Sequence, residues 1–221
     1  MSATGLPIDH HRLNGVALGD ALFSLRSVRK LRSDPIPVED LHLIMEAAVR
    51  APNGGNAQQA RFVLVNDPGV LSDMGALYRE AWWAKRADTT TWKTIDDIPV
   101  EDTVARAAAQ FADAVKNVPA MVLAFGNARV PAELDALSVV PAVQNLMLAA
   151  RALGIGSLPT TLHPVVMERV YAVLSVPPTA RFHLLVPLGY PVSEKAFGLP
   201  RRRPTSETTH MNTWGTKVPW E

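Results

Sequence analysis

The stretch R-A-P-N-G-G-N-A-Q-Q-A-R, residues Arg50 to Arg61, indicates how the elements on either side of it are arranged. A helical pattern from Val38 to Arg50 precedes it, and a short apolar run from Phe62 to Val65, typical of a strand, follows. Pro52 ends the helix, because a proline disfavours helical angles in the residue before it. The pattern predicts a helix, a specialised loop and a strand, which is the beginning of a fold that uses both kinds of element.

The loop itself is rich in amides and glycines. Its four side-chain amides belong to Asn53, Asn56, Gln58 and Gln59. Each amide can both donate and accept hydrogen bonds, and Gly54 and Gly55 permit backbone angles that other residues avoid. Such a loop suits a planar ligand with polar edges. An ordinary Asn/Gly-rich connection between helix and strand is the alternative.

The composition is that of a soluble globular protein. The 221 residues include 22 Lys and Arg against 21 Asp and Glu, 48% are hydrophobic, and there is no Cys. The near-neutral balance gives no general attraction to nucleic acid or membrane, and the lack of Cys excludes disulfides and thiolate chemistry. No signal-peptide core is present near the N-terminus, so we expect a cytoplasmic protein.

Apolar periodicity predicts helices and strands that alternate without a regular repeat. The predicted helices are Asp20–Leu25, Val38–Arg50, Val70–Glu80, Val104–Val115, Leu137–Leu153 and His163–Leu174, and the predicted strands are Phe62–Val65, Val118–Phe125 and Phe182–Leu188. We expect an N-terminal arm (1–17) and a single domain (18–221) that ends in a tail (200–221). The helix at 137–153 is apolar nearly all round, which places it at the domain centre or at a subunit interface.

Residues 81–117 form an excursion without a clean strand pattern. Trp82, Trp83 and Trp92 stand there among Lys, Asp and Thr. Excursions of this kind often form lids or subunit contacts near an active site. Tryptophans that pack on the protein's own surface are the alternative, and we favour it.

Common catalytic signatures are missing from the sequence. It has no phosphate-binding G-x-x-x-x-G-K-[ST] loop, no G-x-S-x-G elbow and no H-E-x-x-H pair. His163 and His183 are better interpreted as structural residues than as metal ligands. We therefore expect no catalytic side chain and no metal site, and an enzyme of this kind would use a cofactor for the chemistry.

Two basic clusters could hold a phosphate. Arg26-Ser27-x-Arg29 offers two guanidiniums and a hydroxyl, and Arg201 to Arg203 offers three more guanidiniums. Each cluster taken singly is more typical of a solvated surface.

Several motifs in fixed order resemble the nitroreductase-like flavoproteins that use FMN. They are R-S-V-R-x-L-x-x-D-P-I-P, A-P-N-G-G-N-A-Q-x-x-R-F-V-L-V, A-V-Q-N-L-x-L-A-A-x-x-L-G-I-G-S and P-L-G-Y-P-x(9)-R-R-R-P, and together they extend from Ala21 to Arg203. The resemblance implies an α+β fold with a mixed central sheet flanked by helices. It also implies an intertwined homodimer, with one FMN at each end of the dimer interface.

The resemblance carries specific residues to the cofactor site. Those expected at the FMN phosphate and ribityl chain are Arg26, Ser27, Arg29, Arg201 and Arg203. Those expected around the flavin ring are Pro52, Asn53, Gly54, Asn56 and Gln58, together with Leu158, Pro159 and Thr161, which resemble a segment contributed by the partner subunit. Which of the three tail arginines point inward is left open.

Two positions depart from the family pattern. Leu25 stands where many members have a basic residue, so we expect phosphate binding to depend more on Arg26 and Arg29. Ala60 stands where many members have a tryptophan, which changes local packing and leaves the substrate class open.

The function implied is that of an oxidoreductase that transfers hydride from NAD(P)H through flavin N5 to nitroaromatic or quinone acceptors by a ping-pong mechanism. One alternative keeps the fold and FMN but changes the reaction to ene-reduction, reductive dehalogenation or dehydrogenation. A second alternative is a non-enzymatic flavin-binding protein.

Overall fold

A four-stranded sheet lies at the centre of the structure, a computed structural model that describes residues 8–220. Its strands are β1 (Arg61–Val65), β2 (Ala120–Asn127), β3 (Gly156–Ser157) and β4 (Ala180–Gly189), in the order β1-β2-β4-β3. Every neighbouring pair is antiparallel. The expected mixed sheet is therefore corrected to an antiparallel sheet within the described residues.

The described part of the chain contains seven α-helices. They are α1 (Leu18–Ser24), α2 (Val38–Val49), α3 (Pro68–Ala87), α4 (Thr103–Ala114), α5 (Ala132–Ala152), α6 (Met167–Val173) and α7 (Thr205–Thr208). The α+β class is confirmed. Because α3 and α4 pack against each other between β1 and β2, the chain returns to the end of the sheet at which β1 stops, and β2 must run antiparallel to β1.

The two faces of the sheet carry different cores, and β2 shows why. Successive side chains of a strand point to opposite faces. Met121, Leu123 and Phe125 contribute to one core with α3, α4 and α6. The small alternate residues Ala120, Val122 and Ala124 lie in the other core. They leave room for α2 and α5 to pack closely on that face.

Helix α5 is not buried on all sides within the chain. Val143 is only 2% exposed, whereas Leu134, Leu137 and Val140 are 59%, 68% and 49% exposed. Of the two alternatives for this helix, complete burial at the domain centre does not hold for the described residues, and a subunit interface stays a prediction. One face packs against the sheet and α2, and an apolar strip remains at the surface.

The excursion begins later than its sequence suggested, because α3 continues beyond Glu80 to Ala87. Trp82 is buried in the core and packs edge-on against Trp83, with ring centroids 4.7 Å apart. Trp92 is half-buried against the same core. The interpretation of these tryptophans as packing on the protein's own surface is confirmed.

The N-terminal arm was expected over residues 1–17, and residues 1–7 lie outside the described part of the chain. A 3-10 turn at His10–Gly15 follows, and it packs near α5. Arg12 forms an ion pair with the buried carboxylate of Asp40 in the first turn of α2. This contact joins the end of the arm to the domain.

Candidate functional site

A basic cavity lies where the segment 26–30 passes between α4 and the loop after β4. Its volume is about 780 Å³. The cationic residues on its wall are Arg26, Arg29, Lys30, Lys195 and Arg202. The hydroxyl-bearing residues Ser27 and Ser193 line the same cavity. The first predicted basic cluster therefore faces a cavity rather than open solvent alone.

Arg26 and Arg29 contribute differently to this cavity. The guanidinium of Arg26 donates to the carbonyl oxygens of Ala196 and Lys195, at 2.5 and 2.8 Å, and so fastens the loop that closes one wall. Arg29 is half-buried, and neither it nor Arg26 has a carboxylate within ion-pair distance among the side chains that the structure describes. Both arginines therefore bring positive charge to this cavity.

Among the tail arginines, Arg202 lines the cavity, whereas Arg201 and Arg203 do not. All three side chains are exposed, and Arg202 donates to the carbonyl oxygen of Arg201 at 2.9 Å. The sequence pattern singled out Arg201 and Arg203. The direction of each arginine side chain in an irregular tail cannot be derived from sequence, because no strand or helix periodicity fixes which side chains face the cavity.

The segment 156–161 lies directly beside this cavity segment. The backbone amide of Val28 donates to the carbonyl oxygen of Ser157 at 3.0 Å. A side chain at Gly156 would come within 3.0 Å of Val28, so only glycine allows the two segments to approach this closely. Ser157 is 2% exposed, and its hydroxyl has no hydrogen-bond partner in the structure. The segment thus brings an unused polar group next to the basic cavity.

The rest of that segment is anchored on both sides. Thr160 exchanges two backbone hydrogen bonds with Leu185 of β4, at 2.8 and 2.9 Å. Leu158 is buried, whereas Pro159 and Thr161 are exposed. Burial raises the pKa of Tyr78, and a hydrogen bond with Thr160 and the charge of Arg29 partly oppose that rise. Tyr78 is therefore a neutral phenol that lies close to both Thr160 and Arg29.

The amide-rich loop 52–58 is shaped by left-handed backbone angles. Gly55, Asn56 and Gln58 have φ of 59°, 52° and 49°. The side-chain oxygen of Asn53 accepts a hydrogen bond from the backbone of Gln58 at 2.8 Å and so closes the loop. Most of its residues, namely Pro52, Gly54, Asn56 and Gln58, are exposed.

This loop does not share a cavity with the basic segment. Asn53 and Gln58 line a smaller cavity of about 140 Å³ together with Ser138 and Ala142 of α5. No residue lines both cavities. The predicted site residues therefore fall into two sets within one chain: a basic set at 26–29 with 157–161 beside it, and an amide set at 52–58 next to α5.

Sequence reasoning missed several residues of the basic set, namely Lys30, Tyr78, Lys85, Ser157 and Lys195, whereas Arg202 was left open as one of the three tail arginines. Lys30 lies within the first quoted motif, so its charge was a usable signal. Nothing in the local pattern indicates that Tyr78 or Lys85 of α3 contacts the segment 157–161.

The two histidines considered as ligands have structural partners. His183 bonds to the buried carboxylate of Asp135 at 2.8 Å, and His163 bonds to Asp88 at 3.0 Å. Their structural interpretation is confirmed. Residues 8–220 contain no group of three or more His, Cys, Asp or Glu side chains arranged to hold a metal ion.

A model of the nitroreductase family matches residues 24–190. The chain belongs to the nitroreductase family. The resemblance recognised in the sequence motifs is confirmed, and the matched range contains both the basic segment and the amide-rich loop.

Other members of the nitroreductase family carry several different activity names. The chain is 31% identical over 193 residues to an NADH dehydrogenase of Thermus thermophilus, covering 83% of this chain and 89% of the relative. It is 33% identical over 184 residues to a 5,6-dimethylbenzimidazole synthase of Rhodospirillum rubrum, covering 79% and 82%. Family membership therefore leaves the reaction to be argued from the site.

The nitroreductase fold is also confirmed by solved structures. An iodotyrosine deiodinase bound to FMN and 3-iodo-L-tyrosine superposes with a TM-score of 0.64 at 24% identity, covering 85% of this chain and 94% of that one. Across residues 8–220, none of the helices is both long enough and apolar enough to span a bilayer.

Proposed function

We propose that this nitroreductase-family protein is an FMN-dependent oxidoreductase that takes a hydride from NADH or NADPH and reduces nitroaromatic or quinone acceptors. The basic cavity carries the proposal, because its cationic lining beside segment 157–161 suits a phosphorylated cofactor. The NADH dehydrogenase relative and the FMN-bound deiodinase structure support the donor and the cofactor.

The residues of the cavity fit the FMN phosphate. Arg29, Arg202 and the hydroxyl of Ser27 are the groups that we expect to bind it, while Arg26 holds the wall and keeps N–H groups for the same anion. Hydrogen bonds to charged groups contribute about 1.5–3 kcal/mol each. Two or three of them supply a large part of the roughly 8 kcal/mol that micromolar binding requires, before ordering costs. Arg201 and Arg203 stay as predicted contacts.

We further propose that the complete site forms between two copies of the chain. The amide set 52–58 and the basic set line separate cavities, and the apolar strip of α5 lies exposed beside the amide set. Apolar surface of this kind favours association with a second copy. On this proposal the partner subunit contributes the loop 52–58. Segment 157–161 comes from the same chain as Arg26 and Arg29, which reverses the assignment made from the sequence.

The chain's own groups bind, orient and charge the site. Bound FMN supplies the hydride transfer between the nicotinamide and the acceptor. The cations around the cavity favour negative charge nearby, and the two backbone hydrogen bonds between Thr160 and Leu185 keep the segment 157–161 in place. NAD(P)H is oxidised to NAD(P)⁺, and its hydride together with one proton from water reduces a quinone to a hydroquinone, or a nitro group to a nitroso group with release of water. No side chain needs to act as an obligatory acid or base.

The decisive experiment is the absorbance spectrum of the purified protein, recorded before and after anaerobic addition of NADH or NADPH. We expect a flavin spectrum that bleaches with at least one donor and recovers when a nitroaromatic or quinone is added. A protein that takes up no FMN, or whose flavin ignores both donors, would contradict the proposal.

A double variant tests the phosphate assignment within the same experiment. Arg26→Ala combined with Arg29→Ala should give a folded protein that retains less than a tenth of its FMN. Lys93→Met, an exposed cation on the excursion, is the matched control and should keep its flavin. Full FMN occupancy in the double variant would contradict the assignment.

A second candidate reaction is favoured by the 33% identity to a 5,6-dimethylbenzimidazole synthase. In that case reduced FMN exposed to oxygen would be consumed and 5,6-dimethylbenzimidazole would accumulate. Chromatography of the small molecules after aerobic turnover distinguishes this reaction from acceptor reduction, in which the FMN is recovered intact.

A further inference from the structure

The C-terminal end of α3 contacts the segment beside the proposed cofactor site through one side chain. The ammonium of Lys85 donates to the carbonyl oxygen of Thr161 at 3.0 Å, and it also bonds to the Thr161 hydroxyl. Thr161 is exposed at the end of segment 157–161. The positive charge of Lys85 therefore lies at the Thr161 end of the segment 157–161, which lies beside the basic cavity.

Arg86 adds a second cation at the same place. Its guanidinium stacks over the ring of Trp82 with the central carbon 5.2 Å from the ring centroid. Its Nε is buried without a hydrogen-bond partner, as is the indole nitrogen of the adjacent Trp83. Two buried N–H donors next to Lys85 thus have no acceptor among the described residues.

The described side chains provide no carboxylate to compensate either cation. None of their Asp or Glu groups lies within ion-pair distance of Lys85 or Arg86. The neighbouring carboxylates are already engaged, since Asp88 bonds to His163 and Glu80 bonds to Arg169. Burial, and secondly the charge of Arg86, lowers the pKa of Lys85. The environment is therefore unfavourable for two cations unless an anion joins them.

The helix dipole explains only part of this arrangement. Lys85 and Arg86 stand in the last turn of α3, where cations are favoured. That effect operates at the surface and needs no buried donor. It leaves the unused Nε of Arg86 and the contact of Lys85 with Thr161 unexplained.

We propose that Lys85 and Arg86 form a subsite that binds an anionic group, a carboxylate or a phosphate, on a molecule that reacts at the adjacent cofactor site. This inference rests on the proposed function, because it assigns to that site a preference among its substrates. The anion has two possible sources, the carboxylate of the acceptor or the phosphate that distinguishes NADPH from NADH. Lys85 is a specificity-determining residue on this view, and FMN supplies the reaction.

Matched acceptors test the first source. We compare kcat/KM for 4-nitrobenzoate with that for its neutral counterpart 4-nitrobenzamide, at fixed NADH. If the acceptor carries the anion, the protein should prefer the carboxylate, and Lys85→Met should lower the preference about 10- to 100-fold. Lys85→Arg should retain most of the preference, and Lys93→Met should leave it unchanged.

Rapid mixing without any acceptor tests the second source. If NADPH carries the anion, the ratio of the reduction rates with limiting NADPH and NADH should fall about 10- to 100-fold in Lys85→Met and survive in Lys85→Arg. A loss of preference in either experiment supports the subsite and identifies the source. Equal ratios for the unaltered protein, Lys85→Met and Lys93→Met in both experiments would overturn it.

A binding measurement separates this inference from the function on which it rests. Titration calorimetry of the FMN-loaded protein with benzoate and with benzamide should show tighter binding of benzoate, and the difference should be lost in Lys85→Met. Flavin that is not reduced by either nucleotide would refute the proposed function alone. Benzoate binding that is no tighter than benzamide binding, together with unchanged nucleotide ratios, would refute the subsite alone.

Discussion

The two predicted halves of the site differ in how the chain holds them. The basic half is tied into the domain, since Val28 bonds to Ser157, Thr160 pairs with β4, and Lys85 binds Thr161. The amide half at 52–58 is mostly exposed, is neutral, and is closed chiefly by the internal bond of Asn53. This difference indicates that the basic half is preformed within one chain, whereas the exposed amide half requires a second protein surface to cover it.

The largest expected effect concerns the helix next to the amide half. Leu137→Glu places a charge on the exposed strip of α5, so the chain should fold but remain monomeric and lose most of its FMN. Val143→Glu buries the charge in the core, which costs several kcal/mol, and should prevent folding. Light scattering after size-exclusion chromatography measures the difference. A dimer with full FMN in Leu137→Glu would contradict the proposed assembly.

The second-largest expected effect is on FMN affinity, and it distinguishes Arg202 from Arg201 and Arg203. Arg202→Ala should weaken FMN binding about tenfold, because one charge-assisted hydrogen bond is lost. Arg201→Ala and Arg203→Ala should each change it by about twofold or less, since such small effects are typical of exposed charges. Fluorescence titration of the apoprotein with FMN gives all three affinities. The reverse order would restore the pattern read from the sequence.

Glycine-to-alanine substitutions compare the loss of stability in the two halves when a methyl group is added to the backbone. Gly156→Ala should destabilise the basic half by about 1–3 kcal/mol, because the new methyl group meets Val28 and Leu31. Gly55→Ala should cost about 1 kcal/mol from its left-handed angle alone. Gly54→Ala has open space and is the control. Urea unfolding with FMN absent measures each cost, and equal values for Gly156→Ala and Gly54→Ala would contradict the close approach.

The smallest expected effect depends on pH. The pKa of Lys85 is lower in the folded protein than its ordinary value of 10.5, so the unfolded chain binds the proton more tightly. Stability of the unaltered protein should therefore increase relative to Lys85→Met as pH rises from the lowered pKa toward 10.5. Urea unfolding across this range checks the trend. Benzoate should weaken it if the anion subsite exists.

Much of the fold follows from local patterns. The existence and type of α2, β1, β2, α5 and β4 could be predicted because their apolar residues recur at helical or strand spacing. The end of α3 could not, since the tryptophans at 82 and 83 fit a helix only when a core is available to bury them. The antiparallel sheet likewise depends on how α3 and α4 pair, which the spacing of either helix does not contain.

The sequence by itself determined the family, the α+β class and the chemical character of the two site motifs, because these depend on residue type and short-range spacing. Tertiary structure alone decided which motifs share a cavity, which face of α5 stays exposed, and that Lys85 meets Thr161 with no compensating carboxylate among the described side chains. The physical reason is that burial and charge compensation depend on groups far apart in the chain. Only the packed sheet and helices bring those groups together.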